Sequence, residues 1–222
     1  MNYLFVVAHP DDEVLGEGAT INKLIKEGNE VTVCILSDNS KTRFDNLKDK
    51  LYKSHKILGI KNTIIGDFRC LNFKDEPHQE MVQFIEESIR ISKPDIVFTH
   101  TPSDINPDHE ATALSCIEAV RLPQRLLDYN KPIKELLYME VKSSTDWQLN
   151  RTVQEFLPNT YNEVSKEDME KKIAALKVYD GVVRDDPHPR AENVINALAV
   201  VRGSESGYKY AEAFQSVFKL GV

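Results

Sequence analysis

Five short apolar runs, at positions 3–8, 31–36, 63–66, 95–100 and 135–141, alternate with stretches whose apolar residues recur at helical spacing. No other feature of the chain narrows its fold as far. Between the first two runs, Val14, Leu15, Ala19, Ile21, Leu24 and Ile25 share a helical face that Gly28 ends. Leu47, Leu51, His55 and Leu58 form a second face closed by Gly59. Met81, Val82, Ile85, Ile89 and Ile91 form a third, closed by Lys93 and Pro94. Strands joined through helices run parallel, with right-handed crossovers that put helices on both sheet faces. The expected fold is therefore α/β: a Rossmann-like, doubly wound, mostly parallel sheet in three layers.

From about residue 163 the pattern is mainly helical. Met169, Ile173, Leu176 and Tyr179 share a face, and 191–201 forms a second helical segment. Residues 203–207, Gly-Ser-Glu-Ser-Gly, read as a short flexible loop before an amphipathic stretch at 208–218. The expectation is a helical C-terminal segment within one domain spanning 1–222, a length that suits a single large core.

A net charge of -7 over 222 residues leaves no basic excess to neutralise phosphates, which argues against nucleic acid or an anionic membrane as partner. No apolar run approaches the ~20 residues of a membrane span. The apolar start at 1–8 has no basic leader and runs at once into His9-Pro10-Asp11-Asp12-Glu13, so it reads as a buried strand. Cys34, Cys70 and Cys116 are widely spaced, and no CxxC pair occurs. They read as reduced thiols of a cytoplasmic protein.

Two clusters carry chemistry. His9-Pro10-Asp11-Asp12-Glu13 stands where the first strand gives way to its helix. His100 through His109, including Asp104, Asn106 and Asp108, follows the fourth strand. In a sheet of order 3-2-1-4 these strands are neighbours whose chains leave in opposite directions. Ligands bind in the crevice at their carboxyl ends. Imidazole and carboxylate are good Zn²⁺ ligands, and three of them leave an open position for water. His9, Asp12 and His109 are assigned as the ligands of one ion. Asp11 is left beside it to take a proton from water. The plainer reading, carboxylates complementing a helix dipole, would suffice for either cluster alone; two converging clusters favour the metal.

Ala8-His9-Pro10-Asp11-Asp12-Glu13, with Gly16 and Gly18-Ala19-Thr20-Ile21, resembles the signature of the PIG-L (LmbE-like) deacetylase family. Asp104-Ile105-Asn106-Pro107-Asp108-His109 resembles its second signature. The likeness reaches along most of the chain, toward bacterial members that sit with surface-polysaccharide genes, through Ser144-Thr145-Asp146-Trp147, Pro187-His188-Pro189-Arg190 and 202–214. It implies a Rossmann-like fold, a divalent metal (Zn²⁺, with Fe²⁺ as the alternative) and removal of acetyl from N-acetylglucosaminyl substrates. His9, Asp12 and His109 match the family's ligands and Asp11 its general base. Asp108 matches a carboxylate that supports the neighbouring site histidine. One position departs: several members carry a histidine where this chain has Asn106, and an amide donates a hydrogen bond but shuttles no proton. The expectation is that His188 takes over that work.

The substrate-binding candidates are Arg43, after the second strand and suited to a sugar hydroxyl or phosphate, with Asn106, Asp108 and Arg190, and Trp147 is a further one. The partner expected is a small sugar or sugar conjugate, and a homo-oligomer is compatible with the sequence. The alternatives are an N-deacylase acting on another amide, a nucleotide-dependent Rossmann protein and a carbohydrate-binding protein that keeps a metal site. The acidic first turn argues against pyrophosphate, which wants a glycine-rich loop there. The free Asp11 argues against a purely structural metal.

Overall fold

A computed structural model describes residues 1–38, 47–125, 131–147 and 155–221. Its strands are β1 (Asn2–Val7), β2 (Glu30–Ile35), β3 (Asn62–Ile65), β4 (Ile96–His100), β5 (Glu135–Met139), β6 (Thr160–Glu163) and β7 (Ala211–Lys219). The helices are α1 (Asp12–Lys26), α2 (Leu47–Leu58), α3 (His78–Ser92), α4 (Pro107–Ala119), the single turn α5 (Leu122–Arg125), α6 (Lys166–Leu176) and α7 (Glu192–Ser206). One sheet of order β3-β2-β1-β4-β5-β7-β6 runs through them. The first five strands pair in parallel, and β7 pairs antiparallel with both β5 and β6.

The side-chain alternation of β1 divides the core in two. Phe5 and Val7 face a cluster completed by Val14, Leu15 and Ile21 of α1, Leu51 of α2, Met169 and Ile173 of α6 and Ile195 of α7. Leu4, Val6 and Ala8 face the other, with Ile85 and Ile89 of α3 and Cys116 and Ala119 of α4. The three layers follow from this division. Each fully buried Leu, Ile or Phe contributes about 1.5–3 kcal/mol of burial free energy, so both faces are needed to hold the sheet. Among the described residues, no helix is long and apolar enough to cross a membrane.

Helix ends are set by local chemistry. Asn106 caps α4 by accepting from the Asp108 N–H (2.9 Å), and Pro107 follows at the first helical position. Ser165 and Asp168 close a reciprocal capping box at α6. Lys93 takes a left-handed conformation (φ 46°) to end α3 before Pro94. Helix α1 is kinked at Glu17 (φ -135°, ψ 22°). The Glu212 carboxylate on β7 accepts from the N–H groups of Ala19 (3.3 Å) and Thr20 (2.7 Å) just beyond the kink. Glu212 also pairs with buried Lys172 at 2.6 Å.

The C-terminal segment departs from its expected course in two places. Residues 203–206 are not a flexible loop but the last turn of α7. Gly203 is there because a Cβ would lie 2.8 Å from the Tyr208 carbonyl, and Gly207 (φ 81°) is the helix stop. The stretch after it is strand β7, inserted between β5 and β6. Its first four residues, Ala211 to Phe214, are all buried, so this half of β7 shows no period of two. Its partner β6, Thr-Tyr-Asn-Glu, has too little apolar character to announce a strand.

Candidate metal centre

Strands β1 and β4 lie side by side, Tyr3 opposite Ile96 through Val6 opposite Thr99, with β2 beyond one and β5 beyond the other. Their carboxyl ends therefore open at the switch point of the sheet. Two loops leave from there: β1 runs through His9 and Pro10 into α1, and β4 runs through Asp104 and Asn106 into α4.

His9, Asp12 and His109 meet at this point, one ligand atom of each lying within 4.8 Å of the other two. His9 Nδ1 stands 3.3 Å from Asp12 Oδ2 and His109 Nε2 stands 3.2 Å from the same oxygen. The His9 N–H also donates to that oxygen at 2.9 Å, which fixes the carboxylate at the head of α1. All three side chains are buried. Each imidazole is held from behind by another carboxylate. His9 Nε2 lies 2.9 Å from Asp108 and His109 Nδ1 lies 3.1 Å from Asp104. A backing carboxylate fixes tautomer and ring orientation, so the opposite nitrogen can present its lone pair to a cation. Two nitrogens and one oxygen converging in this way are a donor set that fits Zn²⁺.

The electrostatics agree. Burial alone would lower the pKa of His109, but Asp12 and Asp104 push it up to about 9. His9 is raised well above its ordinary value, Asp108 and Asp12 outweighing its burial. Asp12 is held well below the carboxylate range, since its burial is outweighed by His109, His100 and His9. The Asp12, Asp104 and Asp108 carboxylates thus make this buried site one that favours positive charge.

His100 stacks on His109 with ring centroids 3.9 Å apart. Its Nε2 accepts from the Ala8 N–H at 3.0 Å, which leaves the ring proton on Nδ1. Burial and the His109 charge lower its pKa to about 4, so it is a neutral wall of the site.

Asp11 sits at φ 110°, ψ -25°, a left-handed conformation that costs a non-glycine residue about 1–3 kcal/mol. The strain is opposed by Glu13, whose Oε2 accepts from the Asp11 N–H at 3.1 Å. Glu13 is fully buried and is held in turn by His55 Nε2 at 3.1 Å, while His55 Nδ1 meets Thr63 Oγ1 at 2.9 Å. The result turns the Asp11 side chain into a cavity of about 740 Å³. Burial first, then the neighbouring Asp12 carboxylate, push Asp11 up to about 7, against the pull of Arg190. Arg190 Nη1 stands 3.7 Å from Asp11, and Arg190 Nε donates to the Lys142 carbonyl at 3.1 Å.

Of the other residues singled out in the sequence, Asn106 and Arg190 line the cavity. The Asn106 Oδ1 is engaged in the helix cap, which leaves its NH₂ as a donor. Asp108 is fully buried, and its partners are His9 and the N–H groups of Leu71 (2.5 Å) and Phe73 (3.1 Å). It braces His9 rather than its sequence neighbour His109, and it offers no face to a substrate. His188 is outside the cavity lining. Its ring meets Trp147 edge-on (5.7 Å between centroids) and its Nδ1 accepts from the Arg190 N–H at 3.0 Å. The turn that carries both residues thus delivers the arginine to Asp11. Arg43 lies outside the described residues.

Sequence reasoning gave no role to Asp104 or to the Glu13–His55 pair. Asp104 accepts from the Ser144 hydroxyl, from Thr145 Oγ1 (3.0 Å) and from the Asn106 N–H (2.9 Å), besides holding His109. The one signal for it was its place five residues before His109. For His55 the signal was a histidine on the apolar face of a helix.

A doubly wound sheet with this cluster at its switch point defines an α/β protein with a candidate cation site. The particular family is settled by comparison. The PIG-L model, described as GlcNAc-PI de-N-acetylase, matches residues 4–120, so the chain belongs to the PIG-L family. Diacetylchitobiose deacetylase of Thermococcus kodakarensis is 27% identical over 96% of this chain and 82% of its own length. Among solved structures, a conserved protein of Thermus thermophilus superposes with a TM-score of 0.79 at 22% identity, covering 100% of this chain and 97% of that one. GalB, the 4-carboxy-2-hydroxymuconate hydratase from Pseudomonas putida, superposes with a TM-score of 0.74 at 20% identity, over 100% of this chain and 98% of its own. A deacetylase and a hydratase on related backbones mean that the fold alone assigns no reaction.

Proposed function

We propose that this protein is a metal-dependent amidohydrolase that removes the acetyl group from an N-acetylated amino sugar. One Zn²⁺ is held by His9, Asp12 and His109, with Fe²⁺ as the alternative ion. The observation that carries the reading is the convergence of His9 Nδ1 and His109 Nε2 on Asp12, each ring backed by its own carboxylate, with Asp11 at the wall of the same cavity. Membership of a family described by an N-acetylglucosaminyl deacetylase, and the likeness to a diacetylchitobiose deacetylase, support the substrate class.

A bound Zn²⁺ would polarise the acyl carbonyl and make a neighbouring water acidic enough to be deprotonated near neutral pH. Asp11 takes the water's proton as its oxygen attacks the acetyl carbon. The same carboxyl then returns the proton to the amine nitrogen as the C–N bond breaks, so water is divided between acetate and amine. Arg190 keeps Asp11 oriented across the cavity wall. The Asn106 NH₂ donates to the carbonyl oxygen as it gains charge. With Asp11 in both proton transfers, His188 is left to pack on Trp147 and hold the Arg190 N–H. A cavity of about 740 Å³ takes an amino sugar with part of its aglycone.

Acetate release from N-acetylated mono- and disaccharides and sugar conjugates, by metal-loaded protein, tests the proposal. Asp11→Asn should cut kcat by roughly 10²–10⁴-fold. A variant within threefold of the parent would remove Asp11 from the chemistry, and a panel without any acetate release would remove the reaction.

A further inference from the structure

His9 is flanked on both sides. Its Nδ1 faces Asp12 and His109, whereas its Nε2 faces Asp108 at 2.9 Å. Cys70 stands beside the same ring and carboxylate: His9, Cys70 and Asp108 bring one ligand atom each to within 4.8 Å of one another. Cys70 is half-buried and lines the same cavity as Asp11, so an ion diffusing to the first cluster also reaches the thiol. Cys34 and Cys116 are fully buried within the core that Phe73 and α3 and α4 complete. Burial pushes the Cys34 thiol up to about 12 and raises Cys116 likewise, so neither competes for a cation.

We propose that His9 Nε2, Cys70 Sγ and the Asp108 carboxylate form a second cation site, selective for thiophilic divalent ions such as Zn²⁺ and Cd²⁺, whose filling inhibits the first. The proposal rests on the reading of His9 as a ligand of the first ion. Thiolate, imidazole and carboxylate together form a Zn²⁺ donor set, and tetrahedral bonds of about 2.0–2.3 Å put such atoms roughly 3.2–3.7 Å apart. Small side-chain shifts reach that spacing. A soft sulfur ligand excludes Mg²⁺ and disfavours Mn²⁺.

Two protons leave to solvent as the site fills, one from the Cys70 thiol and one from the His9 Nε2–H now shared with Asp108. The charges then balance. Two dications face Asp12, Asp108, the Cys70 thiolate and an imidazolate His9 that bridges them. Filling breaks the hydrogen bond by which Asp108 orients His9, and it places a cation beside Cys70 and Leu71, which line the cavity.

Metal-free protein titrated with Cd²⁺ and with Zn²⁺ tests this without substrate. The expected result is two equivalents bound, with thiolate-to-metal charge-transfer absorption of the Cd²⁺ protein rising only with the second. Cys70→Ser and Cys70→Ala should each bind one equivalent and show no such band, and Mn²⁺ should stop at one in all three proteins. The ratio of activity at tenfold excess Zn²⁺ to activity at one equivalent should be low in the parent and close to one in Cys70→Ala. A parent that stops at one equivalent, a second equivalent without the thiolate band, or a band surviving both substitutions overturns the second site. Two equivalents with the band, in a protein that releases no acetate, would leave this site standing and remove the proposed reaction. No binding at all removes both.

Discussion

Asp104 gives the sharpest test of how the cluster is held, because its carboxylate is absent from the cavity lining and stands behind His109. Its Oδ2 lies 3.1 Å from His109 Nδ1 and accepts from Thr145 Oγ1 at 3.0 Å. Its Oδ1 accepts from the Asn106 N–H at 2.9 Å and from the Ser144 hydroxyl. In Asp104→Asn one oxygen becomes an NH₂. Hydroxyl groups can rotate to accept from it; the Asn106 N–H and a protonated His109 Nδ1 cannot. The amide therefore keeps its oxygen toward His109 and loses the charge and the Asn106 bond. Asp104→Ala frees the ring altogether. Losing the group behind a ligating histidine costs about 10–100-fold in metal affinity, or roughly 1.4–2.7 kcal/mol. The asparagine variant is expected at the low end and the alanine variant at the high end. Competition against a chromophoric chelator measures the affinity, with a melting curve on each variant to show that the fold survives. An alanine variant that is folded and binds Zn²⁺ within twofold of the parent would refute the argument that Asp104 orients His109.

Three further outcomes follow from the same geometry. Glu212→Ala leaves Lys172 buried without its partner and two N–H groups of the α1 kink without an acceptor. A loss of about 3–5 kcal/mol is expected, and at ~2–4 °C per kcal/mol Tm should fall by roughly 6–20 °C. Glu212→Gln should lose less, and a shift under 2 °C in the alanine variant would contradict the account. His109, raised to about 9 in the metal-free protein, is protonated at pH 7, so a cation must displace at least one proton to bind. Calorimetry in buffers of different ionisation enthalpy should show that release, and affinity should climb with pH up to about 9. A release of zero at pH 7 would show that His109 is already neutral. The same raised pKa stabilises the metal-free fold fully below about 6.5, and that contribution is lost as pH rises through about 9. The Tm of metal-free protein should drop between pH 7 and 9 relative to a His109→Gln variant, and parallel profiles would exclude the charged pair.

The alternation of apolar runs and helical faces determined the sheet, its parallel half and the neighbouring of β1 and β4, because a strand–helix–strand path has essentially one hand. Two motifs a hundred residues apart could then be read as one site, and His9, Asp12 and His109 do meet. Sequence could not show that 211–219 is a strand, since Ala211 to Phe214 are buried in succession and the alternation disappears there. Nor could it show the second ring of carboxylates. Asp104 and Asp108 sit four residues apart in one motif, yet one grips His109 and the other reaches across to His9. That choice depends on where the 71–73 turn and the 144–145 loop arrive from other strands to satisfy the remaining oxygens. The turn at 187–190 likewise carries both a histidine and an arginine, and only its tertiary path turns Arg190 toward Asp11. Local spacing fixes which groups a loop contains, whereas the direction each group faces is fixed by packing partners contributed from elsewhere in the chain.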